Sequence, residues 1–237
     1  MIKTQIIKGF KENMESEVFH AENLCVFDQN LLFMKDKKFA KVYKETYEDK
    51  REKIRVWRVH IFLWAFINGL KLEGDLIECG VYRGFSSAVA TRYTDFGRLN
   101  KTLYLFDTWE GIPAEQLDKN RTKIDRYEDQ SNLRKVEERF RGLTNVKIMK
   151  GKVPKIFNET DMPTKVSFLH LDMNTSLGEI GALEVLFEKM VTGAVCLLDD
   201  YGNKLAIMQA LKEHAWFKER NYFICELPTG QAMVTKI

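Results

Sequence analysis

The sequence predicts an α/β fold, with a mostly parallel sheet of seven strands, helices on both faces and an antiparallel last strand. From residue 75 onward, short apolar runs rich in β-branched and aromatic residues alternate with stretches of helical periodicity. That order is typical of a parallel sheet covered by helices. The last two apolar runs are joined only by residues 228–231. A linker this short permits a hairpin but no crossover, so the final strand should run antiparallel to its neighbour.

The elements of this sheet follow one another along the second part of the chain. Seven apolar runs are predicted strands, at residues 75–80, 102–107, 146–150, 166–172, 194–199, 222–227 and 232–235. Four stretches have helical periodicity, at residues 86–93, 132–141, 179–190 and 205–214. Residues 71–237 therefore form the predicted α/β domain.

Residues 1–70 are predicted to form a helical extension or lid. Residues 45–70 contain no proline, and their apolar positions recur at helical spacing. Residues 18–33 fit either a helix or an irregular lid. Trp57, Phe62 and Trp64 form an aromatic stripe that is either core or exposed surface, and an exposed stripe predicts a homodimer.

Composition and charge exclude several classes of function. The chain has 237 residues, of which 30% are charged and 45% hydrophobic, as in ordinary globular proteins. A net charge of +3 is too small to indicate nucleic-acid binding, and no apolar stretch is long enough to span a bilayer. The N-terminus lacks the apolar core of a signal peptide, and the four cysteines form no C-x-x-C pair. We therefore expect a cytoplasmic protein with reduced thiols that binds neither nucleic acid nor membrane.

Two of the predicted strands end in acidic residues. Asp172 follows one apolar run, and Asp199 and Asp200 follow the next strand along the chain. Buried carboxylates are costly unless positive charge meets them. Three acids at the ends of two neighbouring strands therefore predict a divalent cation with oxygen ligands. The alternative is that one acid caps the following helix and another lies in solvent.

A glycine turn follows the first predicted strand and precedes a helix. Its spacing, Glu78-x-Gly80-x-x-x-Gly84, differs from the dinucleotide motif G-x-G-x-x-G. Glu78 would repel a phosphate but attract a sulfonium, so the turn favours S-adenosylmethionine (SAM) over NAD. Asp107 ends the second strand, where an acid accepts hydrogen bonds from ribose hydroxyls in nucleotide-binding α/β folds. The alternatives are a purely structural turn and an Asp that caps the next segment.

Four motifs together resemble the macrocin O-methyltransferase (TylF-type) family. They are Glu78-Cys-Gly-Val81, Phe106-Asp-Thr-Trp-Glu-Gly-Ile-Pro113, His170-Leu-Asp172 and Leu198-Asp-Asp-Tyr-Gly202. The resemblance covers roughly residues 55–237. It implies a class I, Rossmann-like methyltransferase that depends on SAM and on a divalent metal, and that methylates a sugar hydroxyl.

The resemblance also implies roles for individual residues. Asp172, Asp199 and Asp200 are implied to hold the metal, Mg²⁺ in first place and Mn²⁺ in second. The implied SAM-binding residues are Glu78, Gly80, Val81, Tyr82, Arg83, Ser86, Ser87, Asp107, Thr108, Lys150, Gly151 and Asp172. The implied acceptor is a nucleotide-linked sugar or a glycan precursor, used for capsular or other surface polysaccharide or for a natural product.

One residue departs from the family pattern. Relatives often have an Asp, considered as a general base, where this chain has Asn174. An amide cannot take a proton at neutral pH. Asn174 is left to orient substrate, and activation of the hydroxyl falls to the metal beside Asp172, to His170 or to Tyr201. His170 can equally be a hydrogen-bonded core histidine, and the pKa of an unperturbed tyrosine is about 10.

Two other functions stay open on the sequence alone. Asn174 is compatible with a SAM-fold protein that binds without catalysis, although the intact metal acids oppose this interpretation. An NAD-type oxidoreductase is opposed by the glycine spacing and by Glu78. The polar segment 112–131 fits either a lid whose basic residues meet the phosphates of a nucleotide sugar, or a solvated loop.

Overall fold

The computed structural model describes residue 9 and residues 18–22, 24–118 and 127–237. Its strands are β1 (Val18–Ala21), β2 (Leu24–Phe27), β3 (Asp75–Cys79), β4 (Leu103–Asp107), β5 (Val146–Lys150), β6 (Val166–Leu171), β7 (Met190–Leu198), β8 (Cys225–Glu226) and β9 (Ala232–Thr235). Its α-helices are α1 (Leu32–Lys35), α2 (Lys37–Thr46), α3 (Lys50–Lys53), α4 (Val56–Leu70), α5 (Phe85–Thr94), α6 (Ser131–Arg139), α7 (Ser176–Leu186) and α8 (Ile207–Glu219). None of the described helices is long and apolar enough to cross a membrane.

The main sheet has seven strands in the order β5-β4-β3-β6-β7-β9-β8. Strands β5, β4, β3, β6 and β7 are parallel, and β9 runs antiparallel to both β7 and β8. The predicted fold class and the antiparallel final strand are therefore confirmed. The strand predicted at 222–227 has only two residues in the structure, because only Cys225 and Glu226 pair with β9 at this exposed edge.

Successive residues of a strand point to opposite sides of the sheet, so both faces carry apolar side chains. Helices cover both faces. On one face Leu76 and Phe168 pack with Phe66 of α4, in a core that also includes residues of α2 and α5. On the other face Ile77 and Leu169 pack with residues of α7 and α8. The parallel strands are thus buried on both sides, and their carboxyl ends meet at one edge of the sheet.

The N-terminal segment differs from the prediction. Residues 18–27 form a β-hairpin, so both alternatives for this stretch, a helix and an irregular lid, are wrong there. Phe19 of the hairpin packs edge-on against Trp57 of α4, with ring centroids 5.5 Å apart. Each strand has only four residues, too few to show an alternating pattern in the sequence. From α1 onward the extension is helical, and the proposed domain boundary at residue 70 coincides with the end of α4.

The aromatic stripe of α4 is not one continuous surface. Phe62 is buried in the core against Phe168, Trp57 is half-buried under the hairpin, and Trp64 is 47% exposed. The stripe as an exposed dimer surface is therefore wrong for Phe62 and Trp57. The homodimer itself stays a prediction.

Candidate active site

A deep pocket opens where the parallel strands of the main sheet end. Its wall is formed by the β3–α5 turn, the ends of β4, β6 and β7, and the N-terminal segment around α3 and α4. The residues predicted from sequence that line it are Glu78, Gly80, Val81, Tyr82, Arg83, Ser86, Asp107, Thr108, Gly151, His170, Asp172, Asn174 and Asp199. Four other predicted residues lie outside its lining: Ser87, Lys150, Asp200 and Tyr201.

Gly80 allows the tips of three strands to converge at the pocket. Its φ of +87° lies in the left-handed region, and a Cβ atom there would come 2.1 Å from the carbonyl oxygen of Asp172. The Gly80 amide donates to the Phe106 carbonyl over 2.8 Å, and the Asp172 amide donates to the Cys79 carbonyl over 2.8 Å. Only glycine fits this position, because the backbone at the end of β6 occupies the space of a side chain.

Asp107 holds the glycine turn against the end of β4. Its Oδ2 atom accepts hydrogen bonds from the amides of Val81 and Tyr82, each over 2.8 Å, and its Oδ1 atom accepts from the Trp109 amide over 2.8 Å. The predicted ribose-binding acid is therefore also the residue that shapes the turn. A carboxylate oxygen has lone pairs for more than one donor, so these bonds leave room for a ribose hydroxyl.

Two bulky residues of the pocket wall have strained backbones. Tyr82 and Trp109 have φ of +51° and +50°, a region that large side chains rarely adopt. The Trp109 indole Nε1 donates to the Tyr82 carbonyl over 2.9 Å and so links the two strained residues. Backbone strain of this kind persists where surrounding structure enforces it, typically at ligand-binding sites.

Beneath the pocket floor, His170 lies between two acids. Its Nδ1 is 3.1 Å from Glu78 Oε1, and its Nε2 is 3.8 Å from Asp199 Oδ1, too far for a hydrogen bond. Burial alone would lower the pKa of His170, but the facing carboxylates of Asp199 and Glu78 raise it to about 10. An imidazolium has no free acceptor nitrogen, so this electrostatic setting does not favour His170 as a general base.

Glu78 is already satisfied by protein groups. Besides His170, it accepts a 2.5 Å hydrogen bond from the hydroxyl of Ser87, which is fully buried. Ser87 is therefore a support for Glu78 and does not face the pocket. Lys150 is exposed, pairs with Glu110 at 2.7 Å and lies outside the pocket lining, and its cofactor contact stays a prediction.

Two of the three predicted metal acids lie against an arginine of α4. The guanidinium of Arg58 lies 3.4 Å from Asp199 Oδ2 and 3.6 Å from Asp200 Oδ1, and it also donates to the Asp199 carbonyl. Asp199 Oδ1 accepts a 2.9 Å hydrogen bond from Gln231. Despite its burial, the positive charge of Arg58 holds the pKa of Asp199 well below its usual range.

Asp172 is in the opposite electrostatic situation. Burial, together with the charges of Asp199 and Asp200, raises its pKa well above the usual range. Asn174 donates from Nδ2 to Asp172 Oδ1 over 3.2 Å. The region around Asp172 thus carries more negative charge than its neighbours neutralise, which is the condition that a bound cation relieves.

The donor set fits a hard divalent cation in kind, because all three side chains offer carboxylate oxygens. In the arrangement seen here, Asp199 is also engaged by Arg58 and Gln231. Within the described part of the chain, no three His, Cys, Asp or Glu side chains are grouped so that they could hold a metal ion. The residues match the ligand chemistry but are not arranged as one site here, and Arg58 would have to release Asp199 for all three to bind one ion.

A cluster of ion pairs ties the N-terminal segment to the glycine turn. Arg83 Nη1 lies 2.6 Å from Asp49 Oδ2, and Arg83 also pairs with Glu48. Arg139 of α6 binds both oxygens of Glu52 at 2.9 Å and donates to the Arg83 carbonyl over 3.0 Å. Arg83 lines the pocket, and its guanidinium is held by these acids. Its contact with the cofactor stays a prediction.

Six charged residues of the N-terminal segment line the pocket although no motif indicates them: Glu22, Asp49, Arg51, Glu52, Arg55 and Arg58. Glu22, at the turn of the β1–β2 hairpin, lies 3.2 Å from Arg55 Nε and 3.7 Å from Arg58 Nη1. The signal that could have revealed the two arginines is their position, three residues apart beside an otherwise apolar helix. Glu22 carries no such signal, because it belongs to the hairpin that was not predicted.

Tyr201 and the segment 112–131 give less information about the site. The hydroxyl of Tyr201 lies 3.0 Å from Nδ1 of His214, a partner outside the pocket. The predicted lid 112–131 lies partly outside the described residues, since 119–126 are not among them. Of the part that is described, Ile112, Pro113, Gln116 and Tyr127 line the pocket.

Comparison with known proteins places this pocket in context. The sequence profile of the macrocin-O-methyltransferase (TylF) family matches residues 62–223. A search of curated proteins found no significant match. Among solved structures, the O-methyltransferase NovP is 20% identical with a TM-score of 0.60, covering 77% of this chain and 81% of that one.

Two further structures share the fold. Apo CalS11, a TDP-rhamnose 3'-O-methyltransferase of calicheamicin biosynthesis, is 12% identical with a TM-score of 0.57, covering 99% of this chain and 93% of that one. TomG from Streptomyces achromogenes, in complex with SAM, is 12% identical with a TM-score of 0.54, covering 87% and 95% respectively. With the profile spanning more than half of its residues, the chain belongs to the macrocin-O-methyltransferase (TylF) family and is a SAM-dependent O-methyltransferase.

Proposed function

We propose that this protein transfers the methyl group of SAM to a sugar hydroxyl with the help of a divalent cation. The observation that carries the proposal is that two sets of residues line one pocket. The glycine turn at Gly80 and the strand-end Asp107 form one side, and the carboxylates of Asp172 and Asp199 form the other. A methyl donor and a hydroxyl held by these two sets would meet in the space between them, as an in-line displacement requires.

SAM would be held by the turn that Asp107 shapes. The backbone around Gly80 and Val81 can approach the donor closely, because Gly80 has no side chain. Asp107 has lone pairs free for ribose hydroxyls, and Gly151 at the end of β5 lines the adjoining wall. Thr108, Tyr82 and Ser86 complete the proposed contacts. Glu78 would act on the donor through its charge, since its oxygens are bonded to His170 and Ser87.

The cation would be held by Asp172, Asp199 and Asp200, with Mg²⁺ preferred and Mn²⁺ accepted. A divalent cation held there would supply the positive charge that makes a nearby hydroxyl easier to deprotonate. Burial and then the nearby carboxylates of Asp199 and Asp200 raise the pKa of Asp172, and a positive charge beside these acids would offset both effects, which supports this placement. Asn174, bonded to Asp172 Oδ1, would fix the direction in which that carboxylate points.

The proton of the hydroxyl needs an acceptor other than His170 or Asn174. Most carboxylates of the described pocket have firm partners: Glu78 binds His170, Asp107 binds the turn amides, and Asp49 binds Arg83. Glu22 pairs with Arg55 and Arg58, the arginines that also face the metal acids. Glu22 is thus as firmly paired as the other carboxylates, and we assign the proton to no side chain among the described pocket residues.

The acceptor class follows from the family and from the charge of the N-terminal wall. Arg51, Arg55 and Arg58 all line the pocket, and guanidinium groups suit the phosphates of a nucleotide sugar. CalS11, which shares the fold, acts on a TDP-sugar. The buried thiols of Cys79 and Cys196 are free, which supports a cytoplasmic location, where such nucleotide sugars are made.

The test is a methylation screen with the purified chain, SAM and a panel of dTDP- and UDP-sugars, read as S-adenosylhomocysteine (SAH) formed. Turnover should stop in EDTA and return with Mg²⁺ or Mn²⁺. Asp199→Asn should abolish turnover while SAH affinity, by calorimetry, stays within about threefold. Glu110→Gln, which alters an exposed acid outside the pocket, is the matched control. Full turnover in excess chelator would exclude the metal role, and loss of SAH binding in Asp199→Asn would show that the two halves of the site are not separate.

A further inference from the structure

Two glutamates lie buried directly behind the pocket turn that follows β6. Glu179 is in the first turn of α7 and Glu213 is in α8, and both side chains are fully buried. Neither residue lines the pocket. Two carboxyl groups packed against each other in a protein interior are costly as a pair of charges, so their arrangement calls for a physical explanation.

Glu179 determines the shape of the turn that carries Asn174. Its Oε1 atom accepts hydrogen bonds from the amides of Met173 and Asn174, over 3.0 and 3.1 Å. These bonds hold Asn174 in a left-handed backbone conformation with φ of +60°. In that conformation the Asn174 side chain reaches Asp172 Oδ1. The position of the Asp172 carboxylate thus depends on Glu179 through one intermediate residue.

Apart from the Gln209 amide, the other oxygens of the two glutamates face no donor among the described residues. Glu179 Oε2 and both oxygens of Glu213 accept no hydrogen bond of good geometry there, although Gln209 lies close to Glu213. The carboxyl groups of Glu179 and Glu213 are close enough to interact electrostatically and through a hydrogen bond. If both were ionised, two acceptors would face each other without a hydrogen. One proton between them turns one acceptor into a donor and satisfies both groups.

We propose that Glu179 and Glu213 share a single proton at neutral pH and that this pair is the positioning element for the Met173–Asn174 turn. The proton stays on one carboxyl oxygen and donates to the other carboxylate, so no group is lost or gained. Glu213 keeps Glu179 in place, and Glu179 orients the two amides. Neither glutamate touches substrate or cofactor, so both are positioning residues.

The surroundings of the pair favour retention of that proton. Burial, and then the mutual repulsion of the two carboxylates, raises the pKa of Glu179, and burial also raises the pKa of Glu213. The titratable groups that face the pair are the carboxylates of Asp172, Asp200 and Asp118, the thiols of Cys79 and Cys196 and the phenol of Tyr201, whose pKa is also raised. The carboxylates add negative charge, and the pKa of each thiol is raised, so none of these groups favours loss of the proton.

Infrared spectroscopy of the full chain tests for the proton directly. At pH 8 the wild type should show a protonated-carboxyl C=O band that shifts in D₂O and disappears in both Glu179→Gln and Glu213→Gln. Asp172→Asn should keep the band, which separates the pair from the other carboxyl of raised pKa. Glu188→Gln, at an exposed position of the same region, is the matched control. A wild-type spectrum without this band, or a band that only Asp172→Asn removes, would overturn the proposal.

Hydrogen exchange at the Met173 and Asn174 amides tests the positioning role. Glu213→Gln supplies an amide donor to Glu179 in place of the shared proton, so exchange should stay within about threefold of wild type. Glu213→Leu removes that donor, and exchange should accelerate about tenfold or more, as the loss of a charge-assisted hydrogen bond implies. Equal exchange in the Gln and Leu variants would refute the role. Neither measurement needs a metal or an acceptor, so the outcome is independent of the proposed function.

Discussion

Replacement of Gly80 by alanine tests the close approach of β3 and β6 on which the pocket depends. The added Cβ would lie 2.1 Å from the Asp172 carbonyl oxygen and 2.4 Å from its carbonyl carbon, where unstrained contacts are about 3.5 Å or longer. The strand ends would therefore have to separate by more than about 1 Å. That movement would break the 2.8 Å hydrogen bond from the Asp172 amide to Cys79.

The loss of stability in Gly80→Ala has two causes, backbone strain and steric overlap, and the same substitution at a second glycine measures the backbone strain alone. Gly142 has nearly the same φ, +84°, but a Cβ there would meet nothing within 4 Å. Gly142→Ala should therefore cost only the left-handed backbone penalty, about 1–2 kcal/mol of unfolding free energy. Gly80→Ala should cost that plus overpacking, about 2–5 kcal/mol in all.

Urea unfolding and SAH calorimetry measure both consequences. Gly142→Ala should bind SAH as the wild type does, because it lies outside the pocket. Gly80→Ala should lose SAH affinity by about tenfold or more, since the turn that we propose to hold the donor is displaced. If the two variants lose equal stability and keep equal SAH affinity, the strand ends are not tightly packed, and our reasoning about this edge of the sheet is wrong.

Three further predictions concern other parts of the molecule. Asp107→Asn replaces an acceptor oxygen by an NH₂ donor that would face the donating amides of the glycine turn, so the turn should shift. SAH affinity measured by calorimetry should then fall about tenfold or more, and unchanged affinity would show that Asp107 does not shape the turn. Arg58→Gln removes the positive charge that lies beside the Asp199 carboxylate, so Tm without metal should fall. Mn²⁺ should then raise Tm by more than it does in the wild type. An equal rise in both proteins would contradict the view that Arg58 competes with a cation for this carboxylate. Hydrogen bonds from the Tyr93 hydroxyl and the Phe39 amide lower the pKa of Asp36, so ionised Asp36 stabilises the fold fully above about pH 4 and this contribution is lost as the pH falls. In Tyr93→Phe the free energy of unfolding should therefore fall less steeply with acid. Identical curves of unfolding free energy against pH for the two proteins would contradict this.

The elements that are predictable from the sequence are those whose signal is local. Buried parallel strands appear as apolar runs, and an acid directly after such a run must lie at the carboxyl edge of the sheet. For this reason the positions of Asp107, Asp172 and Asp199 in the sequence are enough to assign them to one edge. The short linker before β9 determines its antiparallel direction in the same local way.

The features that the sequence does not predict depend on contacts between distant segments. Arg58 contacts Glu22 on one side and Asp199 on the other, and nothing in the sequence near any of the three indicates the others. His170 is a candidate base on sequence grounds, but its charge state depends on Glu78 from another strand. Glu179 occupies an ordinary helical position in the sequence, and only the fold shows that it faces a second glutamate.

The ion pairs between Arg83, Arg139 and the acids of residues 48–52 limit which N-terminal segments from related methyltransferases could replace the one in this enzyme. Both guanidiniums are buried, so neutral substitutions of Glu48, Asp49 and Glu52 within the intact chain would leave two charges without these partners beside the glycine turn, at a cost of several kcal/mol. The N-terminal segment is therefore not an interchangeable acceptor-recognition module. A chimera that takes this segment from another methyltransferase should fold only if the donor supplies matching acids, or if Arg83 and Arg139 are replaced at the same time.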